Sequence, residues 1–404
     1  MRQPSAPSWE VADIFRLYGE RYRRTHPVPP AHQQVMRASE ACRTAQLGGH
    51  AAPCPPCGFE RYADHACRNR HGPQCQTLTK VQWVEDRQAE WLPVPYCHLV
   101  CTVPHDLHLL ILAHQRPLLT RLFHAASQTL VQCGHRNLGG QIGCTRVLPT
   151  WEQPLGAHVH GHGIMAAGAL DSTGERWMEA DPRFLLPVRA LRTVLRGTFC
   201  AALAQGSPPA AVPRMEGLSA LGTPENIKQL RAQLSTKAWV VYAQAPLAGP
   251  AHVLDSVSRY TQRVAITNHR LLDVRDGWVR FAYRNRRQGN RVQTMTRDAD
   301  ECIRRFLWHV VPRGCMRLRH DGFLANRHKA RTLRRCRALL GQPADPPSRS
   351  PKSVVQWMQA VTGIDLTHCP HCGARPLVWL PLPTLSTPAA SRGTPGEAPL
   401  YDSS

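Results

Sequence analysis

The chain has 404 residues and a formal net charge of +22, from 50 lysines and arginines against 28 acidic residues. Arginine pairs bidentately with phosphate, so this imbalance predicts a polyanionic partner; the alternative is a basic surface that serves only solubility. The length allows two or three domains. The absence of an 18-residue apolar run argues against a membrane span. The N-terminus lacks an apolar signal core, so we expect a cytoplasmic protein.

Hydrophobic periodicity predicts strands that alternate with helices, which indicates an α/β or α+β core. The tail from residue 381 is rich in Pro, Ser and Thr and is expected to be disordered. In chain order, the predicted elements are one or two helices over 8–47, a buried strand at 95–104, a helix at 105–133, a strand at 147–151 and a histidine-rich strand after it, a helix at 184–203, a strand at 239–246, a helix at 252–266, a strand at 278–286 and a helix at 299–312.

The 15 cysteines are expected to be metal ligands or buried thiols, because a reducing compartment disfavours disulfides. Cys54-Pro-Pro-Cys57-Gly has the form of a zinc knuckle, in which one tight turn presents two thiolates and glycine lets backbone amides approach the sulfurs. Arginines between the ligands, such as Arg68 and Arg70, would suit DNA binding. The knuckle has more candidate partners than one zinc ion can use. They are Cys42, His50, His65, Cys67, His71 and Cys75.

A second knuckle, Cys369-Pro-His-Cys372-Gly, lies far along the chain. Only His368, His371 and Cys336 are available near it as further ligands. The sequence therefore leaves two alternatives open, a weak zinc site or a remnant of one.

The stretch AHVHGHGI places His158, His160 and His162 at every second position. In a strand, such residues point to one face of the sheet, where two imidazoles can bind a divalent ion that polarises a phosphate. Imidazole favours Mn, Zn, Co or Ni over Mg. A third ligand would come from Gln153 or Glu152, and the alternative is a surface strand of histidines.

Tyr260 is a candidate nucleophile for phosphoryl transfer. On the predicted helix it continues an apolar stripe of Val253, Val257 and Val264, so it would face the sheet. Arg259 and Arg263 flank it and would hold phosphates. The alternative is a core tyrosine with a satisfied hydroxyl.

Several long motifs in order resemble the rolling-circle insertion-sequence transposases of the IS91 type, members of the His-hydrophobic-His (HUH) single-strand nucleases. The resemblance covers residues 8–375. It implies an α+β fold, with an N-terminal helical zinc-binding module (1–90), an HUH catalytic domain with a central antiparallel sheet flanked by helices (91–330), a basic segment with the second knuckle (331–380) and a tail (381–404). The motifs are CRNRH, TWEQPLGAHVHGHGIMAAGAL, FLLPVRAL, WVVYAQAPLAGPAHVL, SRYTQRVAITNHRLL and FLWHVVPRGCMRLRHDGFLANRHK.

The resemblance also implies an activity, which is cleavage and rejoining of single-stranded DNA at the ends of the element through a 5′-phosphotyrosine. By position, His160 and His162 match the metal pair and Tyr260 matches the nucleophile. The implied cofactors are structural zinc and catalytic Mg or Mn. The implied partners are single-stranded DNA at the element's ends and target DNA, with a homodimer as one arrangement, in the bacterial cytoplasm at the nucleoid.

Three residues depart from the family pattern. Gly161 replaces the bulky apolar residue between the paired histidines, so His158 and His160 fit the pattern as well. Ser256 replaces a second tyrosine, which resembles the single-tyrosine "common region" branch. Gly72 replaces a cysteine, which puts one zinc site in doubt. Alternatives are therefore a decayed copy, a non-catalytic zinc protein that binds DNA, and a plasmid replication initiator or relaxase; the order of the zinc module before the histidine strand favours a transposase.

Overall fold

A computed structural model describes residues 9–72, 75–181, 186–204, 224–244, 265–285, 288–345 and 351–384. Its helices are α1 (Val11–Thr25), α2 (Pro30–Ala41), α3 (Thr77–Ala89), α4 (Asp106–Ala113), α5 (Gln115–Leu138), α6 (Val188–Ala204), α7 (Pro224–Thr236), α8 (Ala299–Trp308), α9 (Lys329–Leu339) and α10 (Val354–Thr362). Its strands are β1 (Gly49–Pro53), β2 (Glu60–Asp64), β3 (Tyr96–Thr102), β4 (Gly140–Val147), β5 (His160–Asp171), β6 (Trp177–Glu179), β7 (Val240–Gln244), β8 (Leu271–Arg275), β9 (Trp278–Asn285), β10 (Arg291–Asp298), β11 (Leu318–Gly322) and β12 (Leu380–Leu382). Within these ranges, no helix is long and apolar enough to cross a membrane.

The central sheet is antiparallel and has the order β11-β4-β5-β3-β7, with β6 beside β5. Helices α5 and α6 cover one face, where Met165 of β5 joins the largest apolar core. Ile164 points to the other face and packs with Phe323 and residues of α9. Both faces of β5 are therefore buried beyond Gly163, which explains its continuous run of small and apolar residues. Even-numbered residues of β5 share the face of Ile164.

A second core joins the first two helices to the later part of the chain. Phe15 of α1 lies edge-on against Phe306 of α8, with ring centroids 5.3 Å apart. The amide of Val11 donates to the Asn268 side chain at 3.0 Å, and α8 packs with the sheet β10-β9-β8. The first helix therefore packs against residues on the far side of residue 90, where the zinc-binding module was predicted to end.

The third sheet has the order β12-β1-β2 and joins the two ends of the described chain. Gly49 of β1 pairs with Leu382 of β12 in antiparallel register. Arg61 of β2 lies against the Trp379 ring at 5.8 Å. The later part of the segment predicted to stand apart as residues 331–380 therefore completes the N-terminal module, whereas α9 in its first part packs with the central sheet. β12 also extends past residue 381, where the disordered tail was predicted to begin.

The observed elements follow most predictions, with informative differences. The predicted helix 105–133 is interrupted at His114, because Pro117 is tolerated only in the first turn of a helix. The predicted strand 147–151 is wrong in extent: β4 ends at Val147, and Trp151 forms only an isolated bridge with Ala157. Most of the predicted helix 252–266, with Tyr260, lies outside the described residues.

Candidate metal centres and the histidine face

Two knuckles from opposite ends of the chain form one group of four thiols. The sulfur atoms of the four cysteines lie within 4.8 Å of one another, and the cysteines are Cys54, Cys57, Cys369 and Cys372. Four thiolates at this separation match a closed, tetrahedral structural zinc site. The donor set therefore fits zinc.

The two knuckles repeat the same local hydrogen bonds. Gly58 N donates to Cys54 O at 2.8 Å, and Gly373 N donates to Cys369 O at 2.9 Å. Both glycines have positive φ, +70° and +75°, a conformation that glycine adopts without a Cβ penalty. Burial raises the pKa of the Cys369 thiol, but the backbone amides of Cys372 and His371 and contacts from Cys54 and Cys57 outweigh this and lower it. Burial raises the pKa of the Cys54 thiol in the same group, so the arrangement favours a thiolate at Cys369 first.

The second knuckle takes its further thiols from the first knuckle and not from the residues near it in sequence. The nearby residues considered as helpers lie elsewhere. Cys336 is in the core with Phe323. His371 stacks on Phe59, with centroids 6.0 Å apart, and His368 pairs with Asp365.

A second group holds three thiols, those of Cys42, Cys67 and Cys75. The sulfur of Cys75 lies 3.1 Å from that of Cys42 and 3.4 Å from that of Cys67. Hydrogen bonds from Cys67 and Cys75 lower the pKa of the Cys42 thiol to about 3. These contacts give the group the character of a soft metal site with three ligands.

The histidines predicted as zinc ligands have other partners, which corrects that prediction. His71 donates from Nδ1 to Asn69 Oδ1 at 3.0 Å, and its Nε2 accepts from Val311 N at 3.3 Å. Burial lowers the pKa of His71 to about 3, so both nitrogens serve a neutral structural histidine. His50 contacts His65 at 3.1 Å, and neither belongs to a thiol group.

His160 and His162 lie on one buried face of the central sheet, 5% and 7% exposed. His160 pairs in register with Thr102, and His162 with Val100. The Nδ1–H of His160 donates to the carbonyl of His158 at 2.9 Å. This tautomer puts the lone pair on Nε2, the form of imidazole that binds a divalent metal.

The strand histidines belong to a longer row of imidazole rings across the sheet. Neighbouring ring centroids are 4.6 to 5.2 Å apart. Sequence reasoning missed the outer members, although His98 sits inside the predicted strand that pairs with the histidine strand. Ring by ring, the row runs His105, His108, His158, His160, His162 and His98.

Three sets of predicted site residues remain: the proposed third metal ligands, the arginines of the cysteine cluster, and the nucleophile with its flanking arginines. Arg270 donates to the carbonyl of Gln153, and no described contact joins Gln153 or Glu152 to the strand histidines. Arg68 is exposed. Arg70 is exposed as well, and its guanidinium donates to three carbonyls of residues 311–315. Arg70 therefore links the zinc-binding module to the later part of the chain, and its predicted role in DNA binding stays a prediction. The remaining predicted residues, Tyr260, Arg259 and Arg263, lie outside the described residues.

Fold and site together define an α+β protein with two groups of thiols that could hold metal ions and a histidine-lined sheet face. A family model described as "Transposase zinc-binding domain" matches residues 14–103, and one described as "Putative transposase" matches residues 143–331. No solved structure matches the chain.

Two relatives match nearly the whole length. "Putative transposase y4qJ" of Sinorhizobium fredii is 42% identical over 90% of this chain and 92% of its own length. "Transposase for insertion sequence element IS801" of Pseudomonas savastanoi pv. phaseolicola is 25% identical over 83% of this chain and 80% of its own length. The chain belongs to the IS91-type family of insertion-sequence transposases.

Proposed function

We propose that this transposase cleaves and rejoins single-stranded DNA at the ends of its element through a 5′-phosphotyrosine, as rolling-circle transposition requires. The observation that carries the proposal is the pair His160 and His162 on one buried sheet face. The net charge of +22 supports a nucleic-acid partner. We infer that the chain also binds target DNA, acts at the nucleoid in the cytoplasm and forms a homodimer during strand transfer.

His160 and His162 would hold the catalytic divalent ion, Mn²⁺ or Mg²⁺ in this proposal. When bound, such an ion polarises a phosphate oxygen of the DNA. The chain's own part is to present Nε2 of His160, because Nδ1 donates to the His158 carbonyl. The histidines thereby orient the scissile phosphate.

Tyr260 is the proposed nucleophile. Its phenolate oxygen attacks the phosphorus, a new O–P bond forms, and the bond from phosphorus to the 3′ oxygen breaks. The 3′ oxygen leaves and takes up a proton, and the DNA remains joined to the enzyme through its 5′ phosphate. The reverse reaction with another 3′-hydroxyl rejoins the strand, so no external energy source is needed.

Tyr242 is the alternative nucleophile among the described residues. It is 54% exposed and lies opposite Val100, which itself pairs with His162. Two strand spacings, about 10 Å, separate it from His162. Tyr283 is a weaker alternative, because its hydroxyl donates to Gln293 at 2.8 Å.

A second candidate function is DNA binding without cleavage, as in a decayed copy. Gly161 favours it, because it stands between the paired histidines where the family pattern has a bulky apolar residue. The three-thiol group favours it as well, because it has no fourth His, Cys, Asp or Glu among the described residues. A replication initiator or relaxase would share the tyrosine chemistry, but the zinc-binding family match supports the transposase.

The test is a denaturing gel with labelled single-stranded oligonucleotides from the element's ends, with Mn²⁺ or Mg²⁺ and with EDTA as the control. We expect a metal-dependent protein–DNA adduct that survives detergent and is lost in Tyr260→Phe, while Tyr242→Phe retains it. Adducts that persist in Tyr260→Phe and vanish in Tyr242→Phe would move the nucleophile to β7. Binding without an adduct under any metal would favour the second candidate function.

A further inference from the structure

The sheet β10-β9-β8 buries one face and exposes the other. Val279 and Phe281 of β9 point into the core shared with α1 and α8. Side chains alternate along a strand, so the even-numbered residues of β9 lie on the opposite face, together with the residues of β10 that pair with them. We call this surface the outer face. Its exposed residues include Trp278, Arg280, Arg284, Thr294 and Thr296.

Trp278 is the tryptophan that the fold leaves most open to solvent. All ten tryptophans lie in the described ranges, and only Trp278, at 54%, is largely exposed. Within those ranges, no ring or cation contact covers its indole. An indole gains free energy when a flat apolar partner covers it, and every nucleobase offers such a face. The exposure of Trp278 therefore favours a stacking role.

Arg280 and Arg284 are exposed on the same strand, about 14 Å apart along it. In the described part of the chain, no hydrogen bond or ion pair engages either guanidinium group. Asp273 pairs in register with Arg280, but its carboxylate lies 2.7 Å from the guanidinium of Arg275. The carboxylate of Asp298 caps the first turn of α8. Both arginines are therefore available to an external anion, and guanidinium binds phosphate bidentately.

The inner side of this sheet is attached to the segment that leads into the histidine strand. Leu155 is fully buried in the same core as Phe281, and Arg270 donates to the carbonyl of Gln153. The outer face is thus turned away from that segment. It is a surface separate from the histidine site, on a sheet that packs against the same loop.

We propose that the outer face binds single-stranded DNA of the element's ends, with phosphates on Arg280 and Arg284 and a base stacked on Trp278. A single strand presents phosphates and base faces together, whereas a duplex keeps its base faces stacked inside. The surface extends over about 20 Å of β9 and holds DNA that flanks the segment at the histidines. This inference rests on the proposed function, because it takes single-stranded DNA as the partner.

Fluorescence anisotropy with a labelled oligothymidylate tests the arginines, in buffer without added Mn²⁺ or Mg²⁺. The slope of log K against log salt should become shallower by about 1.4 in Arg280→Ala/Arg284→Ala, since each phosphate contact on a single strand contributes about 0.7. The control Arg136→Ala/Arg189→Ala removes the same charge from exposed positions on α5 and α6 and should leave the slope unchanged.

Trp278→Ala should weaken binding by about 5- to 150-fold without altering the slope, because it removes a stacked base and no charge. Trp278→Phe should restore most of the affinity, since a phenyl ring also stacks. An unchanged slope in Arg280→Ala/Arg284→Ala, or full affinity in Trp278→Ala, would overturn the proposal. Tighter binding of duplex DNA or of an oligouridylate through the same residues would overturn it as well.

Failure of the proposed function gives a different result. If the unmodified protein forms no adduct with any metal, while the outer-face variants lose binding as described, cleavage is refuted and the outer face stands. If adducts form but the outer-face variants bind oligothymidylate like the unmodified protein, only the outer face is refuted.

Discussion

His98 Nε2 lies 3.0 Å from His162 Nδ1, and the two rings stack with centroids 5.2 Å apart. One nitrogen must donate the proton and the other accept it, so the tautomers of His98 and His162 are linked. An outer hydrogen bond of this kind orients a metal-binding imidazole and raises its basicity. Burial lowers the pKa of His98, which favours the neutral ring that this role needs.

His98→Ala should lower metal-dependent adduct formation by about 10- to 100-fold, because His162 loses the partner that orients it. Binding of single-stranded DNA should stay unchanged, since its salt-dependent part comes from phosphate contacts. The measurement is adduct yield against metal concentration, with His124→Ala, an exposed histidine on α5, as the control. Equal losses of binding and cleavage would instead assign His98 a structural role.

Cys369→Ser should remove one zinc ion per chain and expose residues 42–75 to protease. The substitution lies 312 positions from Cys57, but its thiol belongs to the same group of four, and a structural zinc site contributes folding free energy directly. Zinc content and limited proteolysis measure the effect. Cys200→Ser, at a buried cysteine of α6 outside both groups, should retain all the zinc; retention by Cys369→Ser as well would refute the joint site.

Asp321→Ala should lower the free energy of unfolding by about 3–5 kcal/mol, because it leaves Arg146 buried without its counter-charge. Arg146 donates to both carboxylate oxygens of Asp321, and the two side chains are 10% and 7% exposed. The matched control is Asp345→Ala. Its ion pair with Arg334 is well exposed, 63% and 66%, and should contribute at most about 1 kcal/mol. Denaturant unfolding of both variants measures the two free energies. Similar losses of unfolding free energy in Asp321→Ala and Asp345→Ala would contradict the prediction.

Gly161→Val should stabilise the protein by about 1 kcal/mol. A Cβ at Gly161 meets only the Cys101 carbonyl oxygen, at 3.9 Å, and the residue lines an apolar cavity of about 50 Å³ together with Leu122 and Leu191. Filling a cavity recovers about 24 cal/mol per Å³, and glycine weakens a strand.

Gly163→Ala is the contrasting control for Gly161→Val. Its Cβ would stand 3.2 Å from Cys144 Sγ and 3.4 Å from Leu99 Cβ, so crowding should destabilise the sheet. Urea unfolding midpoints compare the two variants. A loss of stability in Gly161→Val would show that the space beneath the histidine strand is not available to a side chain.

The local features of the molecule follow from the order of its residues alone. Period-two spacing places His160 and His162 on one sheet face, and each Cys-X-X-Cys-Gly turn forms through its own backbone hydrogen bonds. Hydrophobic periodicity likewise predicts the amphipathic helices and most strands, because it is a pattern of residues that are near one another in the chain.

Which of these local features meet depends on how the whole chain packs. Pairing of β1 with β12 brings Cys54 and Cys369 into one site, and pairing of β3 with β5 brings His98 to His162. The same packing gives His71, predicted as a zinc ligand, a hydrogen bond from the amide of Val311 instead. Spacing along a chain constrains only near neighbours, whereas contacts across hundreds of residues depend on the packing of whole sheets and helices.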